Sequence, residues 1–512
     1  MELVNFVAAL SPILVVLVGI LFFKQSAKKV APLGLLWTLV LAFTYFNVGD
    51  LSFKENVVLC DALIWKGLKE SLKIALMVFA AFVILNMLRK TGAIDDVKNT
   101  IAKVSDDKRV QVVVIGMMLT IFLEGAAGAG APAAITAPFL VALGYNPISA
   151  IAIALLGDAT PCSWGGAGLT TINGGASLVE AGLSTTALNS AMVGRFHMLG
   201  VFVIPFIMTA LAFGKKGFKN ILPYLFYAGF TTGGIMFVLS NFVGPEVTSM
   251  GTGFLSVIFT MLYVKVIGIN TPDEFRHKSD SKQQKYSSVR ALSPYIFIIV
   301  LLPLVRYGFP AVVENGFAIM CTFGYIFWVD VVILICGILG AVVLGLHIDD
   351  YFEICGQTLK SVTPVLITLG SLLTMAYIMQ SSSTGMMTLL ATGIAGAVGP
   401  LYPAAAVLIG SGGSFVTGTG LGSNIMFADL HVQAATSLSI NPITVFAGQN
   451  AGASLGNLIC PNNTVAACAT VDEVGHEGAV MKKTFIPFLI ILTIYMLLSL
   501  LYIYLLFPNF GA

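Results

Sequence analysis

The chain has 512 residues, of which 57% are hydrophobic and only 10% charged, with a formal net charge of +2 at pH 7. Soluble domains carry about 25% charged residues, so this composition excludes an ordinary soluble protein and predicts a polytopic, all-α protein whose main partner is the lipid bilayer. The chain has no basic tract with interleaved aromatic residues, so we expect no nucleic-acid partner.

The N-terminal segment, residues 1–66, contains two apolar runs that start near Leu3 and Ala31. A spanning helix needs about 20 apolar residues, and both runs are long enough. The first run has no positive leader and no small-residue cleavage site, so we interpret it as a retained span and not as a signal peptide. We expect a polar linker over residues 51–70 before the next span.

The next segment, residues 67–269, contains an apolar stretch that a continuous helix does not fit. Residues 122–147 read FLEGAAGAGAPAAITAPFLVALGYNP and interrupt the apolar sequence with glycine, proline and a carboxylate. Irregular backbone at membrane depth is tolerated only where protein or a watery cavity satisfies its polar groups. This broken stretch therefore predicts a re-entrant hairpin at a binding site. The residues we expect to touch the substrate there are Gly125, Ala126, Gly128 and Gly130.

A second polar interruption follows the short apolar helix that begins at Pro147. It reads GDATPCSWGG and contributes Ser163 as a further candidate for substrate binding. Apolar spans over residues 187–213, 221–242 and 253–269 complete this half. A charged linker, residues 270–290, then divides the chain, and we place it in the cytoplasm.

The C-terminal half repeats this plan, with spans in residues 291–355, a second repeat in residues 356–483 and a last span in residues 484–512. The region 317–346 fits either one tilted span or two short ones. A second glycine-broken stretch, residues 415–442, corresponds to the first at a nearly constant offset. Gly418 lies 293 residues after Gly125, and Asn441 lies 295 residues after Asn146. Its candidate substrate-binding residues, with one from the following ICPNNTVAACA, are Thr417, Gly418, Thr419, Ser423, Asn424 and Asn462.

The basic loops set the expected orientation. Lysine and arginine concentrate at residues 24–29, 89–109, 214–219 and 270–290, and basic loops are mostly cytoplasmic. The span from Leu72 then runs inward and its counterpart from Val362 runs outward. Equivalent spans of opposite direction are typical of an inverted-topology transporter with its site near the midplane.

Carboxylates inside apolar sequence are costly, at about 2.5 to 3.5 kcal/mol on insertion scales, and are usually functional. We name Glu124, Asp158 and Asp429 as ion-coupling candidates. Glu124 fits a proton carrier or a cap for free N–H groups. Asp158 fits cation binding, proton exchange or helix-end capping. We expect Asp429 and His431 to face an aqueous vestibule.

Other functional classes find less support in the sequence. Arg195 fits either a substrate counter-ion or an interfacial anchor. The pairs Asn146-Pro147 and Asn441-Pro442 resemble those of a channel, but they follow the broken stretches and fit ordinary helix caps. No Walker loop or zinc-helix motif occurs, and the seven cysteines are scattered, so we expect no enzyme activity, cofactor or metal.

Several motifs resemble the lactate permease family over roughly residues 67–485. They are FLEGAAGAGAPAAI, GYNPISA, MVGRFHMLGVFVIPF, VTGTGLGSN and the tail from AGQNAGASLGN to GHEG. The resemblance implies a multi-pass symporter of the plasma membrane that moves lactate, glycolate or a related 2-hydroxy monocarboxylate with a proton. It also implies kinship with elevator-type transporters that carry paired hairpins.

The sequence departs from the family pattern at Ala129, Ala131, Gly420 and Asp158. A carboxylate usual at 420 is absent, and Asp158 stands where the family usually has Asn. We hypothesise that Asp158 takes over ion coupling. The alternative is a sodium-coupled carrier of another organic anion, a di- or tricarboxylate, with Ser423, Asn424 and Asp158 as hard oxygen ligands. The oligomeric state stays open, with a homodimer as one candidate assembly.

Overall fold

The computed structural model describes residues 2–23, 25, 27–46, 52–93, 96, 105–127, 131–276, 285–309, 317–321, 324–326 and 328–511. The helices of the N-terminal half are α1 (Glu2–Leu21), α2 (Ala27–Thr44), α3 (Phe53–Thr91), α4 (Lys108–Val113), α5 (Thr120–Ala127), α6 (Ala131–Ala142), α7 (Pro147–Asp158), α8 (Gly165–Gly174), α9 (Ala176–Glu180), α10 (Thr186–Phe213), α11 (Leu222–Phe242) and α12 (Pro245–Val266). A π-helical turn, Val114–Leu119, joins α4 to α5.

The C-terminal half contains α13 (Ser288–Gly308), β1 (Phe317–Cys321), β2 (Gly324–Ile326), α14 (Trp328–Leu344), α15 (Ile348–Gln380), α16 (Met386–Val398), α17 (Tyr402–Thr417), α18 (Gly420–Leu438), α19 (Pro442–Gly456), α20 (Pro461–Ala469) and α21 (Glu477–Leu501). The described chain is therefore helical, as predicted, apart from the antiparallel pair β1–β2. The region 317–346 was predicted as one or two spans. Its described residues instead form the paired strands β1 and β2 and then the single helix α14.

The polar stretch 51–70, predicted as a linker, is also corrected. Helix α3 begins at Phe53 and continues without a break to Thr91. A capping box starts it, because the Ser52 hydroxyl accepts from the Glu55 backbone N–H while the Ser52 N–H donates to the Glu55 carboxylate at 2.8 Å. Such a box satisfies two free donors of the first turn, so the polar residues extend the helix instead of interrupting it.

The two longest helices, α3 and α15, pack side by side in opposite directions. At one end Lys90 Nζ lies 2.6 Å from Glu353, and Asn86 donates to Thr358 at 3.2 Å. Near the other end the Lys66 ammonium lies 4.3 Å from the centre of the Tyr377 ring. Early residues of one helix therefore meet late residues of the other, which makes the pair antiparallel.

In each glycine-broken stretch two helices pack together, α5 with α6 and α17 with α18, and we call these pairs the first and second hairpins. In the second, α17 ends at Gly418, whose left-handed φ of 77° turns the chain, and the Thr419 side chain caps α18. The hydroxyl of Ser423 donates back to the Gly410 carbonyl at 2.9 Å, so α18 lies against α17. In the first hairpin, Thr120 of α5 donates to Thr136 of α6 at 3.2 Å.

Four helical segments among the described residues are long and apolar enough to cross a membrane, judged by length and composition. They are residues 186–218, 222–242, 247–266 and 477–506. Large apolar side chains such as Phe230, Val266 and Leu497 are exposed on them. Exposure of this kind suits a protein whose outer surface meets lipid tails.

Close packing between α7 and the π-helical turn depends on glycine. A Cβ atom at Gly157 would overlap the carbonyl oxygen of Gly116, whereas a Cβ at Gly234 on α11 would meet nothing within 4 Å. We expect Gly157→Ala to lower the thermal unfolding midpoint of the detergent-purified protein, because overpacking costs about 1–3 kcal/mol. Gly234→Ala is the matched control and should not lower it. Equal midpoints for the two variants would contradict this account of the packing.

Candidate functional site

Two interrupted helices meet in the buried interior of the molecule. The first interruption follows α7, where the chain passes through the 3-10 turn Pro161–Trp164 before α8. The second separates α19, which ends at Gly456, from α20, which begins at Pro461. The Asn457 side chain donates to the Cys162 sulfur at 2.7 Å. The two interruptions are therefore in direct contact, although 295 residues of sequence separate these two residues.

The tip of the second hairpin reaches the same place. A Cβ at Gly420 would lie 3.0 Å from the Cys162 sulfur, and Ser414 of α17 donates to Asn457 at 2.7 Å. Helix α18 begins at Gly420, and a helix N-terminus carries free N–H groups and a partial positive charge. The polar centre thus combines both interruptions with a helix end that favours an anion.

Two buried carboxyl groups lie beside this centre. Glu124 and Asp158 are direct neighbours, the Cys162 thiol lies next to both, and each acid is only 1% exposed. Apart from each other, Glu124 Oε2 and the two Asp158 carboxylate oxygens have no hydrogen-bond partner among the described residues, and Thr160 Oγ1 has none. No described lysine, arginine or histidine forms an ion pair with either acid. Neighbouring carboxylates do not both stay charged without a cation or a shared proton.

Asn462 is the predicted binding residue whose geometry best suits a ligand. Both of its side-chain polar atoms are buried without a hydrogen-bond partner in the described chain. A Cβ at Gly418 would overlap its amide nitrogen, so the amide faces the tip of the second hairpin. An unpaired buried amide costs about 1–3 kcal/mol, and a bound polar molecule would offset that cost.

Ser423 and Asn424, also predicted to bind substrate, have protein partners. Ser423 accepts from Gln449 at 3.0 Å, and Asn424 donates to the Thr170 carbonyl at 3.2 Å. Gln449 also lies 2.8 Å from His431, whose other ring nitrogen lies 2.8 Å from the Tyr402 hydroxyl. His431 is thus buried in a network that holds the second hairpin in place. The prediction that it faces an aqueous vestibule is wrong.

Ser163 takes part in a second buried chain of polar groups. Its hydroxyl lies 2.7 Å from His197 Nε2, and His197 Nδ1 lies 2.7 Å from the Tyr495 hydroxyl. Ser163 also donates to the Asn450 carbonyl at 3.3 Å. This chain joins the first interruption to α10, α19 and α21, so Ser163 helps to position the polar centre.

The remaining candidates have different surroundings. Gly125 is packed against the Met250 backbone of α12, and Thr419 accepts from the Gly422 N–H at 3.0 Å as a cap. Gly128 and Gly130 lie outside the described residues, as do the side chains of Ala126, Thr417 and Asp429.

Arg195 lies among aromatic rings. Its guanidinium group is 4.7 Å from the centre of the Phe510 ring and 5.3 Å from that of Phe507. It also bonds Asn241. These contacts near the C-terminus favour the anchor interpretation over a substrate counter-ion.

Sequence reasoning missed Cys162, Asn457, His197 and Gln449. One sequence signal marks Asn457, because Leu156-Gly157-Asp158 followed by Pro161 corresponds to Leu455-Gly456-Asn457 followed by Pro461. These two short motifs place Asp158 and Asn457 in corresponding positions. Among the described residues, no group of three or more His, Cys, Asp or Glu side chains is arranged to hold a metal ion.

A helical bundle of apolar segments around a buried polar centre of broken helices is the architecture of a membrane transport protein. The family model described as L-lactate permease matches residues 5–324 and 308–506. The chain belongs to the L-lactate permease family, and it is therefore a membrane permease and not an enzyme.

The relatives include transporters of two named substrates. The L-lactate permease of Salmonella typhimurium is 27% identical over 510 residues, covering 91% of each chain. The glycolate permease GlcA of Escherichia coli is 26% identical over 92% of each chain, and the L-lactate permease of Bacillus subtilis 24% identical over 77% of this chain and 78% of its own. The YdaH transporter of Alcanivorax borkumensis aligns over 92% of this chain and 98% of its own at 14% identity, but its TM-score of 0.38 supports no inference about the fold.

Proposed function

We propose that this protein is a proton-coupled symporter that carries L-lactate, glycolate or a related small 2-hydroxy monocarboxylate across the plasma membrane. The observation that carries the proposal is the buried pair Glu124 and Asp158, which has no basic partner among the described residues and adjoins the polar centre. Transport of lactate or glycolate by this family sets the substrate class.

The substrate carboxylate binds between the start of α18 and Asn462. The Gly418 turn leaves room for the Asn462 amide, and the free N–H groups of the helix end complement a negative charge. Ser423 and Asn424 support this site indirectly, because their bonds to Gln449 and Thr170 hold the hairpin in place. In the first hairpin, Gly125, Ala126, Gly128 and Gly130 remain candidate contacts, as does Thr417 in the second.

The proton resides on the Glu124 and Asp158 pair. A monocarboxylate brings one negative charge into a low-dielectric interior, where an uncompensated charge is costly. One proton bound at the carboxyl pair together with one substrate anion leaves the total charge of the site unchanged, so each transport cycle moves no net charge. The same unpartnered oxygens, with Thr160 Oγ1, also suit a sodium ion, which is the second candidate for the coupling ion.

Two inverted repeats with paired hairpins, moving as an elevator, account best for the architecture. Gly385 follows α15 as Gly92 follows α3, at an offset of 293 residues, and α3 and α15 are antiparallel. Helices α7 and α19 both start with a capping asparagine followed by proline. Equivalent elements of opposite direction support the inverted arrangement.

Uptake into proteoliposomes tests the proposal. Purified protein is given labelled L-lactate or glycolate under an inside-alkaline pH gradient or an inward sodium gradient, imposed one at a time with the membrane potential clamped. We expect accumulation above equilibrium with the pH gradient alone. Accumulation driven only by sodium would replace the proton with sodium, and fast electrical flux without accumulation would refute a carrier. Counterflow against unlabelled hydroxy-, keto- and dicarboxylic acids identifies the preferred substrate.

The position of Cys162 gives a separate test of the site. Its thiol touches Asn457 and adjoins Glu124 and Asp158. In a variant that keeps Cys162 as the single cysteine, we expect a small membrane-permeant maleimide to label it slowly, and L-lactate to slow labelling several-fold by occupying the centre. A variant that keeps only Cys336, which is buried away from the centre on α14, is the control. Equal protection of both cysteines, or none at Cys162, would place the substrate elsewhere.

A further inference from the structure

An open basic pocket lies between α2 and α15, away from the polar centre. It has a volume of about 620 Å³ and is lined by Lys28, Lys29, Lys360, Thr363 and Ile367. The lysines come from two separate helices, so the fold and not only the local sequence brings their charges together.

The positive charges of the three lysines in this pocket are not neutralised by acidic side chains of the described chain. None of the three lysines forms an ion pair with a described acidic side chain. Helix α2 begins at Ala27, so Lys28 and Lys29 occupy its first turn, where the helix dipole is positive and disfavours cations. Three ammonium groups and a positive helix end around one cavity repel each other unless an anion occupies it.

An exposed apolar surface continues from the pocket along both helices. Ile367 on α15 is 54% exposed, and Leu33 and Leu36 on α2 are each 58% exposed. The two helices run in the same direction from the pocket, because Lys28 and Thr363 line it while Gly34, further along α2, approaches Met375. The pocket is thus polar at one end and apolar beyond it, which matches a headgroup with its acyl chains.

We propose that this pocket binds the phosphate headgroup of an anionic membrane phospholipid, with Lys28, Lys29 and Lys360 around the phosphate and Thr363 as a hydroxyl donor. The acyl chains lie along Ile367, Leu33 and Leu36. Basic pockets between membrane helices recognise anionic headgroups in this way. Each lysine near the membrane surface raises the affinity roughly fivefold.

Native mass spectrometry of the full chain, titrated with phosphatidylglycerol or phosphatidylethanolamine, tests the proposal. We expect wild type to prefer phosphatidylglycerol and the triple variant Lys28→Gln, Lys29→Gln, Lys360→Gln to bind it about a hundredfold more weakly. The control Lys215→Gln, Lys216→Gln removes two charges from the exposed turn Gly214–Phe218 and should bind as wild type does. The triple Lys→Arg variant keeps the charge and should retain most of the binding.

Two further measurements keep the proposal open to refutation if the triple Gln variant folds poorly. Binding of phosphatidylglycerol to wild type should weaken as salt rises, because exposed charges are screened, and millimolar inorganic phosphate should not displace the lipid. Displacement by inorganic phosphate would mean a free anion and not a lipid. Unchanged lipid binding in the triple variant, or an equal loss in the Lys215 and Lys216 control, would overturn the site.

Discussion

Replacing Asp158 with Asn is expected to abolish accumulation of substrate against its gradient while exchange of labelled for unlabelled substrate continues. The amide keeps the size of the side chain but cannot release a proton, so the substrate site survives and the coupling is lost. Proteoliposomes measure both reactions in one preparation, as uptake under a pH gradient and as counterflow without one. We expect uphill uptake to fall by at least an order of magnitude.

The control for this variant is Asp273→Asn, which removes a carboxylate that is 99% exposed and should leave both reactions intact. Glu124→Gln removes the other member of the buried pair. Because the two carboxyl groups are neighbours, their effects should not add in the double variant. Uphill uptake by Asp158→Asn at the wild-type level would end the coupling hypothesis.

Replacing Arg109 with Met is expected to lower the stability of the folded protein strongly. Arg109 and Asp107 form an ion pair in which both side chains are 0% exposed, at 2.6 Å. The guanidinium also donates to the carbonyls of Gly217 and Lys219 and lies over the Phe275 ring. Its removal leaves Asp107 charged and buried, which costs about 3–5 kcal/mol.

The thermal unfolding midpoint in detergent measures this loss, and Arg276→Met is the matched control. Arg276 lies 3.0 Å from Asp106 with both side chains 51% exposed, and exposed pairs contribute about 0–1 kcal/mol. Adding Asp107→Asn to Arg109→Met should restore part of the stability, since the unpaired charge is then gone. Similar midpoints for Arg109→Met and Arg276→Met would show that burial of the pair does not matter.

Helix boundaries that depend on a single local residue were predictable from the sequence. Glycine at 418 and proline at 147 and 442 fix where helices end or begin, and the structure has those boundaries. The polarity of the stretch before Leu72 predicts a linker, whereas the capping box at Ser52 starts α3 within it. The strands near residue 320 were missed because apolar residues of a short strand and of a spanning helix look alike.

The site was harder to predict because its contacts are long-range. Polarity inside apolar sequence marks Asp158 and Asn462 as candidates, and the fold buries both side chains. His197 and Tyr495, which are 298 residues apart, carry no local mark of their contact. Ser423 and Asn424 were read as ligands from their type alone, whereas their bonds to Gln449 and Thr170 arise only once the hairpin has folded.

The lengths of α3 and α15 have a mechanical consequence. At 1.5 Å per residue, helices of 39 and 33 residues extend about 58 and 50 Å, well beyond a hydrocarbon layer of about 30 Å. Contacts at Lys90 and at Lys66 join the two helices at two well-separated points along α3. In the elevator arrangement proposed above, this long antiparallel pair would be the part that stays in place while the shorter hairpins move.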